Sequence, residues 1–192
     1  MSSSKKFTLY DIVVVGVMAA IVFALTYFIR IEIPTPAGPT NLKLANAFIL
    51  LAGMLFGGLR GGLAGGIGSM IFDLINPAYI TSAPFTLIFF FMMGFVCGVV
   101  SGIGEKKGNQ PLWNVIGGIA GAATYFVLHI GKSVIELVLA GSDLSAALVA
   151  CSTKMVTSGI NIVTGVIIAA LLAPVLKMAV VRTGVYQKMA HK

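Results

Sequence analysis

His129, Lys132 and Glu136 are the residues of this 192-residue chain best placed to do chemistry together. Spaced by three and four residues inside one long apolar stretch, they fall within roughly 60° of arc at about 100° per residue, on one helical face. An imidazole, an ammonium and a carboxylate so arranged can hold a polar ligand between donor and acceptor. Equally, Lys132 and Glu136 are four apart and can pair with each other. A charge near the centre of a bilayer costs about 2.5 to 3.5 kcal/mol, so a polar face in such a stretch marks a site. Glu136 lies near the end of the stretch and is expected to be partly in water. Further along, Lys154, Ser158 and Asn161 repeat the pattern within about 60°. Two such faces on neighbouring helices suggest a polar pocket, with Asn161 deepest and Lys154 nearer the rim. Tyr79, Phe85, Phe89 and Tyr125 are candidates for its walls, while Thr157 and Thr164 are expected to bond their own backbone.

Other apparent motifs fail. Gly131-Lys132-Ser133 looks like the end of a phosphate-binding loop, but that motif needs a glycine five positions before Gly131, where Phe126 stands, and a loop in water. No ATPase is expected in the chain, and no catalytic constellation surrounds Lys132. Cys97 and Cys151 both lie in apolar sequence and read as small buried hydrophobes, so no disulfide, metal site or cofactor is expected.

The elements that must position these residues follow from composition. With 58% hydrophobic and 10% charged residues, the chain is an integral membrane protein rather than a soluble domain. A span of roughly 30 Å needs about 20 mostly apolar residues. Segments meeting or approaching that standard run over residues 12–29, 42–57, 61–75, 84–103, 112–140 and 144–181. The expected fold is therefore all-α: six transmembrane helices in one compact bundle, residues 1–192 forming a single domain with a cytoplasmic lead over 1–10. The second and third segments are short and separated by a glycine-rich turn, which leaves a re-entrant hairpin or a broken helix open. The formal charge of +7 does not point to nucleic acid, because nine of the thirteen basic residues (Lys5, Lys6, Arg60, Lys106, Lys107, Lys177, Arg182, Lys188 and Lys192) fall on one side if both termini are cytoplasmic. Arg30 and Lys43 flank the first outer loop.

That loop, from Arg30 to Asn41, is stiffened by Pro34, Pro36 and Pro39 and is either a lid or a plain connector. Asp11 is a plausible cap of the first helix. Glycines at 57, 61 and 65, and at 58, 62 and 66, have the spacing that lets helices approach closely in lipid, here the second and third. Asp73, near the outer end of the third helix, can cap, pair or bind. The next outer loop supplies Tyr79, Thr81 and Ser82. On the first helix Gly16, Ala20 and Ala24 form a small-residue ridge that can serve packing inside the bundle or docking of a partner.

The Ala20 to Ala24 spacing, the proline-bearing first loop, the glycine-rich Leu51 to Gly68 hairpin and the polar late helices, taken in order over nearly the whole chain, resemble the S components of energy-coupling factor (ECF) transporters. The resemblance implies a cell-membrane subunit that captures a vitamin from outside and works with a transmembrane T component and two cytoplasmic ATPases. It implies that Ala20 and Ala24 meet the T component. It also implies that substrate contacts Asp73, Asn76, Tyr79, His129, Lys132, Glu136, Lys154 and Asn161. Mixed charge without abundant tryptophan favours a small heteroaromatic such as hydroxymethylpyrimidine or a vitamin B6 form. Riboflavin, and the carboxylates pantothenate and niacin, are the alternatives. A stand-alone proton-coupled carrier using Asp73, His129 and Glu136 is the rival of another class, although no inverted repeat is visible.

Overall fold

The computed structural model describes residues 7–103, 110–182 and 184. Its elements are α1 (Leu9–Phe28), β1 (Arg30–Ile33), β2 (Thr40–Lys43), α2 (Ala45–Phe56), α3 (Gly58–Ile75), a 3-10 turn (Ile80–Ser82), α4 (Ala83–Ser101), α5 (Pro111–Leu139), α6 (Leu144–Ala150) and α7 (Ser152–Arg182). Among the described residues the regular structure is all helical apart from the β1–β2 hairpin. Among the described residues, four stretches are long and apolar enough to cross a membrane: Leu9–Phe28, Ile80–Ser101, Pro111–Leu139 and Ser152–Arg182. Lys5, Lys6, Lys106, Lys107, Lys188 and Lys192, used above as topology markers, lie outside the described residues, as does most of the lead.

Three expectations change. The helix expected from residue 42 begins at Ala45, because residues 40–43 pair with β1 instead. The segment expected over 144–181 divides at Cys151 into α6 and α7. Asp11 is not the cap of α1. Thr8 is, and Asp11 is the third helical residue of a capping box, its carboxylate accepting from the Thr8 backbone N–H at 2.7 Å. The buried Asp11 also accepts from Arg60 Nε at 2.6 Å, while Arg60 Nη1 donates to the Phe56 carbonyl at 3.0 Å. One guanidinium thus ties the start of α1 to the junction of α2 and α3.

α2 is the core. Eleven of its twelve residues are buried, and a helix apolar all round belongs among other helices. It packs against α1, α3, α4, α5 and α7. It breaks from α3 at Gly57, whose φ of 87° suits glycine. The two glycine series of α3 do separate work. A Cβ on Gly61 would collide with the Gly53 backbone of α2, and one on Gly65 with Ile49. A Cβ on Gly58, Gly62 or Gly66 would instead meet the carbonyls of Phe95, Phe91 and Leu87 at 2.6, 2.7 and 2.6 Å, all on α4. So one stripe seats α2, as expected, and the other seats α4. The result brings the hairpin, the Asn76–Ser82 loop, the start of α4, the end of α5 and the start of α7 to one end of the bundle.

Candidate functional site

The hairpin is antiparallel, with Arg30 opposite Lys43 and Ile33 opposite Thr40. Gly38, at φ 88°, closes its tip, where the Thr35 hydroxyl donates to the Gly38 carbonyl at 2.6 Å. Arg30 donates to Glu32 at 2.9 Å and Asn41 at 3.3 Å, and its guanidinium lies 4.5 Å from the Phe72 ring centre. Two side chains of α7 then fasten the hairpin to the bundle. Asn161 Nδ2 donates to the Asn41 carbonyl at 2.7 Å, and Asn161 Oδ1 accepts from the Lys43 backbone N–H at 3.0 Å. Lys154 Nζ donates to the Ala37 carbonyl at 2.5 Å and to Ser133 Oγ at 3.1 Å. A third tie runs from Asn41 Nδ2 to the Tyr79 hydroxyl at 3.0 Å. The loop from Arg30 to Asn41 is thus tied to the bundle through Asn161, Lys154 and Tyr79.

Behind it lies a cavity of about 270 Å³, lined by the hairpin, Asp73 of α3, the 78–82 loop, the first turns of α4, the last turns of α5 and Lys154. One wall is aromatic. Phe90 stacks on Tyr125 with centroids 4.5 Å apart, and Tyr125 stacks on His129 at 5.3 Å and 10°. Lys43 Nζ sits 4.1 Å from the Phe90 ring centre, and Lys132 Nζ 4.9 Å from that of Phe85. His129 Nε2 is buried and has no hydrogen-bond partner among the described residues. A buried polar atom left unpaired costs about 1–3 kcal/mol, and as His129 lines the cavity, a ligand there can supply the missing partner.

Lys132 and Glu136 pair at 2.6 Å, and Lys132 also donates to Ser82 Oγ at 3.4 Å. Glu136 is exposed, as its place near the helix end suggested. The pairing does not remove either residue from the cavity wall. Burial lowers the Lys43 side chain to about 8, with Asp73 drawing it back up and Arg30 pressing it further down, so at pH 7 it is mainly the ammonium. Burial, helped by the charge of Glu32, pushes the Tyr79 hydroxyl up to about 12, which keeps it a neutral donor and acceptor.

Of the eight residues read from the sequence, Asp73, Tyr79, His129, Lys132, Glu136 and Lys154 come together on the cavity. The wall aromatics Tyr79, Phe85, Phe89 and Tyr125 line it too. Asn76 and Asn161 are not among its lining residues. Asn76 Oδ1 accepts from the Ala78 N–H at 3.1 Å and shapes the loop instead. Asn161, expected to be the deepest contact, is spent on the hairpin backbone. Thr157 and Thr164 bond the carbonyls of Thr153 and Ile160 at 2.9 and 2.8 Å, as expected of them. Lys43, Thr86, Phe90 and Ser133 were missed. Ser133 stands four residues after His129, a spacing that could have found it. Lys43 carried no comparable signal.

Because Asn161 is the clamp for β2, Asn161→Ala is expected to weaken ligand binding by about 1–3 kcal/mol through the hairpin, without altering any cavity-lining side chain. Titration of purified protein with its ligand checks this. Unchanged affinity would mean that the hairpin holds its place without the clamp.

Away from the cavity, Gly16 and Ala20 are exposed and Ala24 is half-buried, on the face of α1 opposite its buried Val15, Ala19 and Val22. A Cβ at Gly16 would meet nothing within 4 Å. The ridge does not serve packing at that end of the helix.

A search of curated proteins finds no match to the chain. A family model described as "ECF-type riboflavin transporter, S component" matches residues 6–178. Since that match runs through every element that builds the cavity, from the hairpin to α7, the chain belongs to the family of ECF-type riboflavin transporter S components.

Proposed function

We propose that this chain is the substrate-capture subunit of an ECF-type uptake transporter in a bacterial plasma membrane, and that its ligand is a vitamin or vitamin precursor with a flat heteroaromatic ring. The observation that carries this reading is the cavity under the fastened hairpin, where an aromatic wall of Phe90, Tyr125 and His129 faces donors and acceptors from four other elements. A ring stacks on such a wall, and the unpartnered His129 Nε2 answers one polar atom of its edge. The family description names riboflavin, which makes it the first ligand to test. The cavity of about 270 Å³ lies at the small end of the roughly 300–1,000 Å³ usual for small-molecule sites. That size supports a single ring of the hydroxymethylpyrimidine or vitamin B6 kind under the closed hairpin, and riboflavin with the hairpin displaced. Niacin has such a ring too, whereas pantothenate, which has none, is the alternative that would use the polar groups of the cavity alone.

In this reading α2 and α3 are the two short members of six spans, and both termini face the cytoplasm, supported by the excess of basic residues on that side. The exposed ridge of Gly16, Ala20 and Ala24 receives the T component, and two cytoplasmic ATPases supply the energy. Mass spectrometry of small molecules carried through purification, followed by titration with each vitamin, tests the reading. Recovery of a heteroaromatic vitamin supports it. Uptake into liposomes on a pH gradient by the chain alone would replace it with a proton-coupled carrier.

A further inference from the structure

Among the described residues the ion pairs are Arg30–Glu32, Arg60–Asp11 and Lys132–Glu136. Lys43 and Lys154 belong to none of them. Both line the cavity, Lys154 buried and Lys43 partly so. The ammonium of Lys154 has two donors engaged, by the Ala37 carbonyl and the Ser133 hydroxyl, and a third to give. That of Lys43 rests over the Phe90 ring, with no carboxylate within ion-pair distance. Lys43, Lys132 and Lys154 all line the same cavity as the His129 ring. The carboxylates facing them are Asp73, beyond pairing distance of Lys43, and Glu136, already committed to Lys132. The wall therefore carries three ammonium groups against two carboxylates, and two of the three lack a neutralising partner.

A charge taken out of water is tolerated where a counter-charge or hydrogen bonds replace the lost solvation. Carbonyl, hydroxyl and ring contacts do this only in part for Lys43 and Lys154. We infer that the cavity contains an anion subsite at the hairpin tip, in which the third donor of Lys154 receives a carboxylate or phosphate borne by the heteroaromatic ligand and Lys43 adds a second positive charge to the wall. The ring occupies the Phe90–Tyr125–His129 wall, and the anionic substituent points toward the hairpin. This rests on the substrate-capture reading and narrows its ligand to the ionised members of the vitamin classes.

The test compares ligands that differ only in the anion. Purified full-length protein in detergent at pH 7 is titrated with nicotinate against nicotinamide, pyridoxine 5′-phosphate against pyridoxine, and riboflavin 5′-phosphate against riboflavin. In the pair that carries the right ring, the anion is expected to bind at least about tenfold more tightly, the worth of one charge-assisted hydrogen bond. Lys43→Met and Lys154→Met, each a long unbranched apolar replacement, are expected to weaken binding of the anion more than that of its neutral counterpart, so that the ratio of the two affinities falls toward one. Lys154→Met also removes a hairpin tie, so Lys43→Met keeps the test decisive if the other variant misfolds. Binding of the neutral member as tightly as its anion in every pair that binds overturns the subsite and leaves the substrate-capture reading standing. No measurable binding by any of the six overturns the subsite, and the substrate-capture reading falls with it only if no vitamin is carried through purification either.

Discussion

Ala20→Trp is expected to abolish vitamin uptake by cells carrying the complete transporter while leaving ligand binding by the isolated chain near normal. The indole would project from the exposed face of α1, away from Val15, Ala19 and Val22, which point into the bundle, so neither the core nor the cavity is disturbed. What it occupies is the shallow track left by Gly16, Ala20 and Ala24, and helices meet closely in lipid only where such small residues let their backbones approach. Radiolabelled uptake and titration of the purified variant are the paired measurements, with Ala20→Gly as the benign control. Equal loss of uptake and binding would show that α1 serves the cavity rather than a partner.

Gly94→Val is expected to prevent recovery of folded protein. A Cβ at position 94 would stand 2.5 Å from the Gly61 carbonyl oxygen and 2.8 Å from the Gly62 nitrogen, both backbone atoms of α3 that no rotamer change can move. Overpacking a core costs about 1–3 kcal/mol where side chains can yield, and this site belongs at or above the top of that range. α3 and α4 would have to separate along the glycine stripe of Gly58, Gly62 and Gly66. Gly159→Ala is the internal comparison, because a Cβ there meets nothing within 4 Å and a helical alanine is favoured over glycine by up to about 1 kcal/mol. Size-exclusion profiles and thermal melting in detergent distinguish the two. A monodisperse Gly94→Val protein melting with the parent would mean that the stripe is not in contact.

The polar faces were legible because helical periodicity is local. His129, Lys132 and Glu136 needed only their spacing to be placed on one side of α5, and the structure sets that side on the cavity. The glycine series announced close packing for the same reason, although spacing alone could not say that one stripe meets α2 and the other α4. Lys43 was not legible. Its strand pairs with β1 nearby, but it is set against the cavity by Asn161, 118 residues away, which holds its backbone N–H, and by Lys154, which holds the hairpin tip across a similar separation. Such long-range ties leave no periodic trace. Nor does the break at Cys151, since no proline or glycine marks residues 144–152. Asn161 shows the converse: a buried amide on a polar face reads as a ligand contact from spacing alone, and in the structure one of its N–H groups and its oxygen hold Asn41 and Lys43 instead.

The guanidinium of Arg60 also has a mechanical meaning. It joins the first turn of α1 to the α2–α3 junction at the end of the bundle farthest from the cavity. For α1 to slide past α3 by one helical turn, the buried Asp11 carboxylate would have to give up that partner, at a cost of about 3 kcal/mol. Closer to the middle of the bundle, Gly68 brings α3 against the backbone of α1 at Ala19, which blocks sliding a second time. A pull on the outer face of α1 is therefore delivered to α3 as the displacement of one stiff lever, with Asp73 at its far tip, so leverage on that face is felt at the cavity.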